Sequence, residues 1–426
     1  MAEIQRARNP KIIITACCVF FWFLMGLALL VTVLPNDAGA ADLRVLPSIT
    51  VSEEYNDNVF LARYNKLDDY ITTFNPAFGL TYKTSLLDLN LDFAYYYRWY
   101  ALGARNEDST INTNFRDHSE VIKNFFFVDL LDTYDRVSLT TVTNYTQQST
   151  FVNQTDQNIF TANPYMAMRS ESRFTPILGY RYVNTWYKSA AGINTVDSIG
   201  YAEMITDLSS KMTFTIGARY TQDRNGVEDY DKTDFYAGPK YTYAQDSYIY
   251  ALIGESFLEF QFQGNTQHVI WDAGIIHHYS TISVAYQMKS DYIPDPSRIL
   301  RRVDQYVATL AKTTTRTTYE ISAGLYEYRN ASTNHLEDTS YRLDGTLRHA
   351  ISPTYTILLE ENIERLEDNQ LNTITDIWHS GIRLERRVLA DLTLALDYLY
   401  TNSYSHDVYQ NNYVNNRFSV GLTKRF

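Results

Sequence analysis

The densest run of oxygen ligands in this 426-residue chain is Asp223-Arg224-Asn225-Gly226-Val227-Glu228-Asp229-Tyr230-Asp231-Lys232-Thr233-Asp234. Carboxylates grouped in this way could hold calcium, a hard cation that takes several oxygen ligands. Their spacing does not match the EF-hand loop, so the run reads as a solvated acidic loop. The histidines are the next candidates: His118, His268, His277, His278, His335, His349, His379 and His406. Acid–base work needs a histidine within reach of its reacting partner, and zinc hydrolysis needs an HExxH pair on one helical face. No histidine here stands in such a motif. The sequence also carries no nucleophile elbow, paired catalytic carboxylates, phosphate-binding glycine loop, haem motif or dinucleotide fingerprint. Both cysteines, Cys17 and Cys18, fall in an N-terminal apolar run. Beyond that run there is no thiol for disulfides, metal sites or catalysis. The sequence predicts a protein that is not an enzyme and needs no cofactor or metal.

A different pattern organises the charged residues. In Leu87–Trp99 the odd positions Leu87, Leu89, Leu91, Phe93, Tyr95, Tyr97 and Trp99 are apolar or aromatic. The even positions include Asp88, Asn90, Asp92 and Arg98. In a strand these are opposite faces. The same alternation recurs at Met212–Thr221 and Asp391–Tyr400. A strand of this length suits a tilted membrane crossing of about 9–11 residues better than a soluble sandwich. Its aromatics gather at one end, where an interfacial girdle belongs. The face opposite the apolar stripe then lines a lumen. It carries Asp88, Asp92, Arg98, Arg219, Glu360, Glu364, Arg383, Asp391, Asp397 and Arg417 as candidate lumen-lining residues. Acids and bases are mixed, which suggests pairing across strands more than strong ion selectivity.

The elements that would position them follow from turn residues. Short turns are expected at Thr84-Ser85, Leu131-Asp132, Glu171-Ser172, Ser209-Ser210, Asp246-Ser247, Tyr279-Ser280, Thr314-Thr315, Ile351-Ser352 and Leu389-Ala390. Longer polar breaks are expected between them, including 55–69, 223–231 and 290–300. With a first strand near 43–54, the count is about 20 strands, with 18 as the alternative. The fold class is therefore all-β: a transmembrane antiparallel up-and-down β-barrel with periplasmic termini. The last strand, Arg417–Phe426, alternates in the same way, and its terminal Phe426 looks like an outer-membrane assembly signal. Charged residues make up only 20%, against roughly 25% in an average soluble domain, while Tyr reaches 36.

Residues 1–41 read as a secretory signal. Arg6, Arg8 and Lys11 begin it, Ile12–Leu34 is apolar, and Ala38-Gly39-Ala40 fits a small-residue cleavage site. Residues 42–426 then form one barrel domain with net charge −13, from 34 basic and 47 acidic residues. That acidity argues against nucleic acid as a partner. The expected partners are outer-membrane lipids and the barrel assembly machinery. No break is long enough to suggest a plug or an inward-folded loop. A barrel this wide leaves an aqueous channel, so side chains and short loops must narrow it, or a periplasmic partner must close it.

One stretch adds a resemblance. Leu46–Phe60 contains Tyr55-Asn56-Asp57-Asn58-Val59-Phe60, and Asp69–Leu80 follows as a second strand. These segments resemble the β-barrel porin 2 type families, outer-membrane proteins associated with exopolysaccharide and PEP-CTERM loci. The resemblance implies an outer-membrane exit for an exopolysaccharide pathway, with a periplasmic polysaccharide-export partner. It carries over no catalytic residues. The alternatives are a diffusion porin for solutes and a sheath around a separate electron-transfer protein. On its own chemistry, Asn56-Asp57-Asn58 is an Asx-rich turn opening the first outer loop.

Overall fold

Alternation this regular leaves each strand with one apolar and one polar face, and a ring of such strands can turn the apolar face outward to lipid and the polar face to a lumen. The computed structural model describes residues 41–139, 152–168, 173–296, 298–406 and 412–426, without the side chains of 298 and 299. The N-terminal segment through residue 40 and the expected turn Glu171-Ser172 lie outside the described residues. The chain forms a 20-stranded antiparallel sheet. Its first ten strands are β1 Asp42–Asn56, β2 Asp69–Lys83, β3 Leu87–Tyr100, β4 Asp108–Ile122, β5 Phe126–Ser138, β6 Gln154–Ala167, β7 Phe174–Tyr187, β8 Thr195–Ser209, β9 Met212–Arg224 and β10 Tyr230–Ala244. The rest are β11 Ser247–Phe260, β12 Thr266–Tyr279, β13 Ile282–Asp295, β14 Arg298–Thr313, β15 Thr317–Asn330, β16 Leu336–Ala350, β17 Tyr355–Asp368, β18 Thr373–Arg387, β19 Leu392–Ser405 and β20 Tyr413–Arg425.

Each strand pairs with its neighbours in sequence, and β1 pairs with β20 from Ser48↔Arg425 to Asn56↔Arg417. That last pairing closes the ring. The Phe426 N–H donates to the Pro47 carbonyl at 3.0 Å, extending the seam by one residue. A closed sheet has no unpaired edge, which is the condition for a sheet to sit in lipid. Leu178, Ile216, Ile253 and Val420 are each more than half exposed. Register puts such residues on the outer face, as an apolar girdle that only lipid can cover.

Tight turns join the strands at one end and longer loops join them at the other. Several tight turns hold a left-handed residue: Asn124 (φ 59°), Asp246 (φ 54°) and Ser280 (φ 55°). Asn and Asp tolerate that conformation better than bulky residues. The prolines obey the ladder. Pro239 faces Phe214 of β9, while the pairing of β10 with β11 passes from Ala237 to Lys240. Pro164 faces Val128, while the pairing with β7 passes from Ala162 to Tyr165. A proline has no N–H for the second ladder.

Three expectations are corrected. The turn placed at Leu131-Asp132 lies inside β5, and the chain reverses at residues 123–125 instead. Asn124, at φ 59°, supplies that turn, and Phe126 opens β5. The acidic run near 223–231 is shorter as a loop than expected, because β10 begins at Tyr230 and takes in Asp231, Lys232 and Asp234. The break at 290–300 is mostly strand: β13 and β14 continue through it and pair as far as Asp295↔Arg298.

Candidate functional site

Register assigns a face to each of the expected lumen residues. On β3, Asp88, Asp92 and Arg98 share the face opposite Leu89, Leu91 and Phe93. Arg219 lies on the inner face of β9, where its Nε is 3.0 Å from Asp234. Glu360 and Glu364 lie on β17, Arg383 on β18, Asp397 on β19 and Arg417 on β20, all opposite the apolar stripe. Asp391 is different. It sits in the turn between β18 and β19 and pairs with Lys424, which shares the outer face of Leu422. It belongs to the rim and does not line the lumen. The alternation of Asp391 with Thr393 suggested a wall position, but the strand starts one residue too late for it.

Four of these residues come together. Glu360, Arg383, Asp397 and Arg417 line one recess with Glu54 and His379, on the wall from β16 across the seam to β1. Gly345 and Gly381 leave space for it. Arg383 bonds Asp397, and the Ser419 hydroxyl donates to the other Asp397 oxygen at 3.2 Å. His379 Nδ1 lies 2.9 Å from the Thr401 hydroxyl. Glu364 stands one step toward the loop end, where Arg342 Nε is at 2.9 Å and the Ser340 hydroxyl at 2.7 Å. Asp88 and Arg98 remain apart from this group. Asp88 pairs with Lys83 at 2.7 Å near a tight turn, and Arg98 with Asp108 at 3.5 Å near the loop end.

The loop end of the barrel holds a feature the sequence did not announce. Pairing between β12 and β13 runs only to Trp271↔Ser290, although β13 continues to Asp295. The upper part of the β13–β14 hairpin therefore leaves the wall. Tyr292 and Leu300 pack with Tyr230, Leu258, Phe260, Ile270 and Ala331, all nearly inaccessible to solvent. Register puts Tyr230, Leu258 and Ile270 on the inner face of the wall. Lys232, also on the inner face, places its Nζ 5.4 Å from the Tyr292 ring centre. At the tip, the Pro296 carbonyl accepts a hydrogen bond from Ile193 N–H at 2.8 Å, in the loop between β7 and β8. The hairpin thus passes the loops of β9–β10 and β11–β12 on the lumen side. Arg301, 3% exposed, fixes its base through Asp338 at 2.8 Å and Glu337 at 3.2 Å. The expectation that no loop folds inward is corrected by this hairpin.

The motif Asn56-Asp57-Asn58 does more than turn the chain. Asn58, fully buried, donates to the Val414 carbonyl at 3.1 Å and the Ala62 carbonyl at 2.9 Å. It accepts from Ala62 N–H at 2.8 Å. Asp57 accepts from the backbone and side chain of Asn416, both at 2.7 Å, and Asn56 accepts from Asn415 at 2.6 Å. The motif stitches the loop end of the closing seam.

No family model and no curated protein matches the chain. Among solved structures, two mutant forms of the ferric enterobactin receptor PfeA from Pseudomonas aeruginosa are similar to it, both at 9% identity. One covers 92% of this chain and 81% of that chain with a TM-score of 0.50; the other covers 90% and 80% with a TM-score of 0.51. The siderophore receptor PirA from the same organism aligns over 90% and 80% at 10% identity and a TM-score of 0.49. At this identity the likeness to PfeA concerns the fold alone: a closed antiparallel transmembrane barrel.

Proposed function

We propose that this chain is an outer-membrane channel and, more specifically, the outer-membrane exit of an exopolysaccharide pathway. The observation that carries the channel reading is a closed barrel with a mixed polar inner wall, narrowed at its loop end by its own hairpin. Sixteen or more strands leave an aqueous interior, so a constriction is what such a barrel needs at rest. The resemblance of residues 46–60 and 69–80 to exopolysaccharide-associated barrels supports the export reading. The short-turn end, with the start of β1 and the end of β20, faces the periplasm in this reading, and a periplasmic export partner would displace the hairpin when cargo arrives.

A diffusion porin for small solutes is the second reading. The inward hairpin favours it, because a hairpin that never moves passes only small molecules. Deleting the gene separates the two. An exporter leaves its polymer trapped in the periplasm and the cell surface bare of it. A porin leaves surface polymer unchanged while uptake of a small solute slows, and that outcome would remove the export reading.

A further inference from the structure

Three inner-face tyrosines have an unusual setting. A Cβ added at Gly179 would lie 2.3 Å from both Cζ and Oη of Tyr201 and 2.7 Å from Cε1. At Gly217 it would lie 2.5, 2.6 and 2.7 Å from Cζ, Cε2 and Oη of Tyr236. Several ring atoms at nearly equal distance mean that each ring lies flat on the glycine of the facing strand. Tyr250 meets Gly274 at a single ring atom: its Cε1 would lie 3.0 Å from the Cβ position, behind the Tyr286 carbonyl at 2.8 Å. The glycines permit this close approach because they have no side chain. One face of the Tyr201 and Tyr236 rings is thus spent on the wall, and all three tyrosines remain partly exposed.

The positions form a track. Tyr201 faces Arg219, which faces Asp234. Tyr236 lies two residues further toward the tight turns, in the row Gly217–Tyr236–Gly254–Ile270. Tyr250 follows in the row of Lys240 and Gly274, nearer still to the turns. Ile270 belongs to the hairpin's seat, so the track begins beneath the hairpin and descends the wall. In the ring of strands it lies opposite the charged recess.

Polar groups border each ring. The Tyr201 hydroxyl donates to Asn163 at 3.0 Å, the Tyr236 hydroxyl donates to Glu203, and Gln287 donates to the Tyr250 hydroxyl at 3.3 Å. Arg181 and Arg219 stand over the Tyr201 and Tyr236 rings, their guanidinium carbons 5.6 and 6.0 Å from the ring centres, at the outer limit of a cation–π contact, so a sugar on either ring would share that face with a guanidinium.

We infer that Tyr201, Tyr236 and Tyr250 form a binding track for a saccharide chain, with sugar faces resting on the rings and hydroxyls bonding the flanking amides, carboxylate and guanidiniums. The chemistry that recognises this ligand is a flat apolar face rimmed by donors and acceptors. A sugar ring offers both, whereas an apolar solute would leave the rim unsatisfied. Tyr201 and Tyr236 stand two strands apart, and Tyr250, on the next strand, lies four residues along from the row of Tyr236, so a chain of several sugars is the ligand and a monosaccharide is not. This inference rests on the channel reading above.

The test is calorimetric titration of the full-length mature barrel in a sugar-free detergent with maltohexaose, cellohexaose and chitohexaose, with planar-bilayer conductance measured on the same preparation. At least one hexasaccharide should bind, and glucose should bind far more weakly. Stacking energies correspond to about a tenfold loss of affinity or more for each lost ring. Tyr201→Ala and Tyr236→Ala should show that loss. Tyr236→Phe should stay within a few-fold of the parent, because the ring face survives. Tyr236→Leu keeps apolar bulk over Gly217, so it guards against a folding defect, and it should lose affinity as the alanine variant does. No binding by any of the three sugars, or equal binding by the leucine variant, would overturn the track. Conductance without sugar binding would sink the track and leave the channel standing; binding without conductance would do the reverse.

Discussion

At the residue scale, the seam shows what single side chains contribute. Asn58 bonds three backbone groups, of Ala62 and Val414, from a fully buried position. Leaving such groups without partners costs about 1–3 kcal/mol each. Asn58→Ala should therefore lower the temperature at which the folded barrel band converts to the unfolded band on unboiled gels, well beyond the effect of Asn90→Ala on an open stretch of wall. An equal effect of both would mean that the bonds of Asn58 do not hold the seam. This site was half legible in sequence. Three Asx residues at a strand end announce a turn, but their bonds to Asn415 and Asn416 exist only once the last strand lies beside the first. The tyrosine seats were less visible still. Gly179 and Tyr201 are unremarkable until register brings them face to face.

At the element scale, strands were readable and their departures from the wall were not. Two-residue alternation marks a strand whether it lines the barrel or bends across it. The turn at residues 123–125 was missed because aromatic residues flank it, and Leu131 lies among polar positions of β5. The β13–β14 hairpin was missed for a deeper reason: its fate is set by Tyr292 meeting Ile270 and by Pro296 meeting Ile193, contacts that no local pattern encodes. The hairpin's seat gives a direct prediction. Leu300→Ala opens a void in a packed cluster, a change that costs roughly 2–5 kcal/mol when the site cannot collapse. Solvent labelling of a probe at residue 296 should rise in that variant. An Ile193→Cys/Pro296→Cys pair should form a disulfide that holds the tip in place, and the absence of any other cysteine beyond residue 18 keeps the readout clean. Failure of the pair to cross-link under oxidation would mean the tip does not rest there.

At the scale of the whole molecule, the sequence carries closure well. An even series of alternating segments and a final strand ending in Phe426 correspond to a ring joined between β1 and β20. It carries the interior poorly, because an inner wall is defined by which strand faces which across the lumen. Glu360, Arg383, Asp397 and Arg417 span 58 positions of sequence yet line a single recess. The central claim is that this barrel is a channel narrowed by its own hairpin. Single-channel conductance in planar bilayers tests it most directly, comparing the parent with a variant in which residues 291–300 are replaced by a two-residue turn. The account predicts a small conductance for the parent and a several-fold larger one for the shortened hairpin. Equal conductance in the two, with both barrels folded, would contradict it.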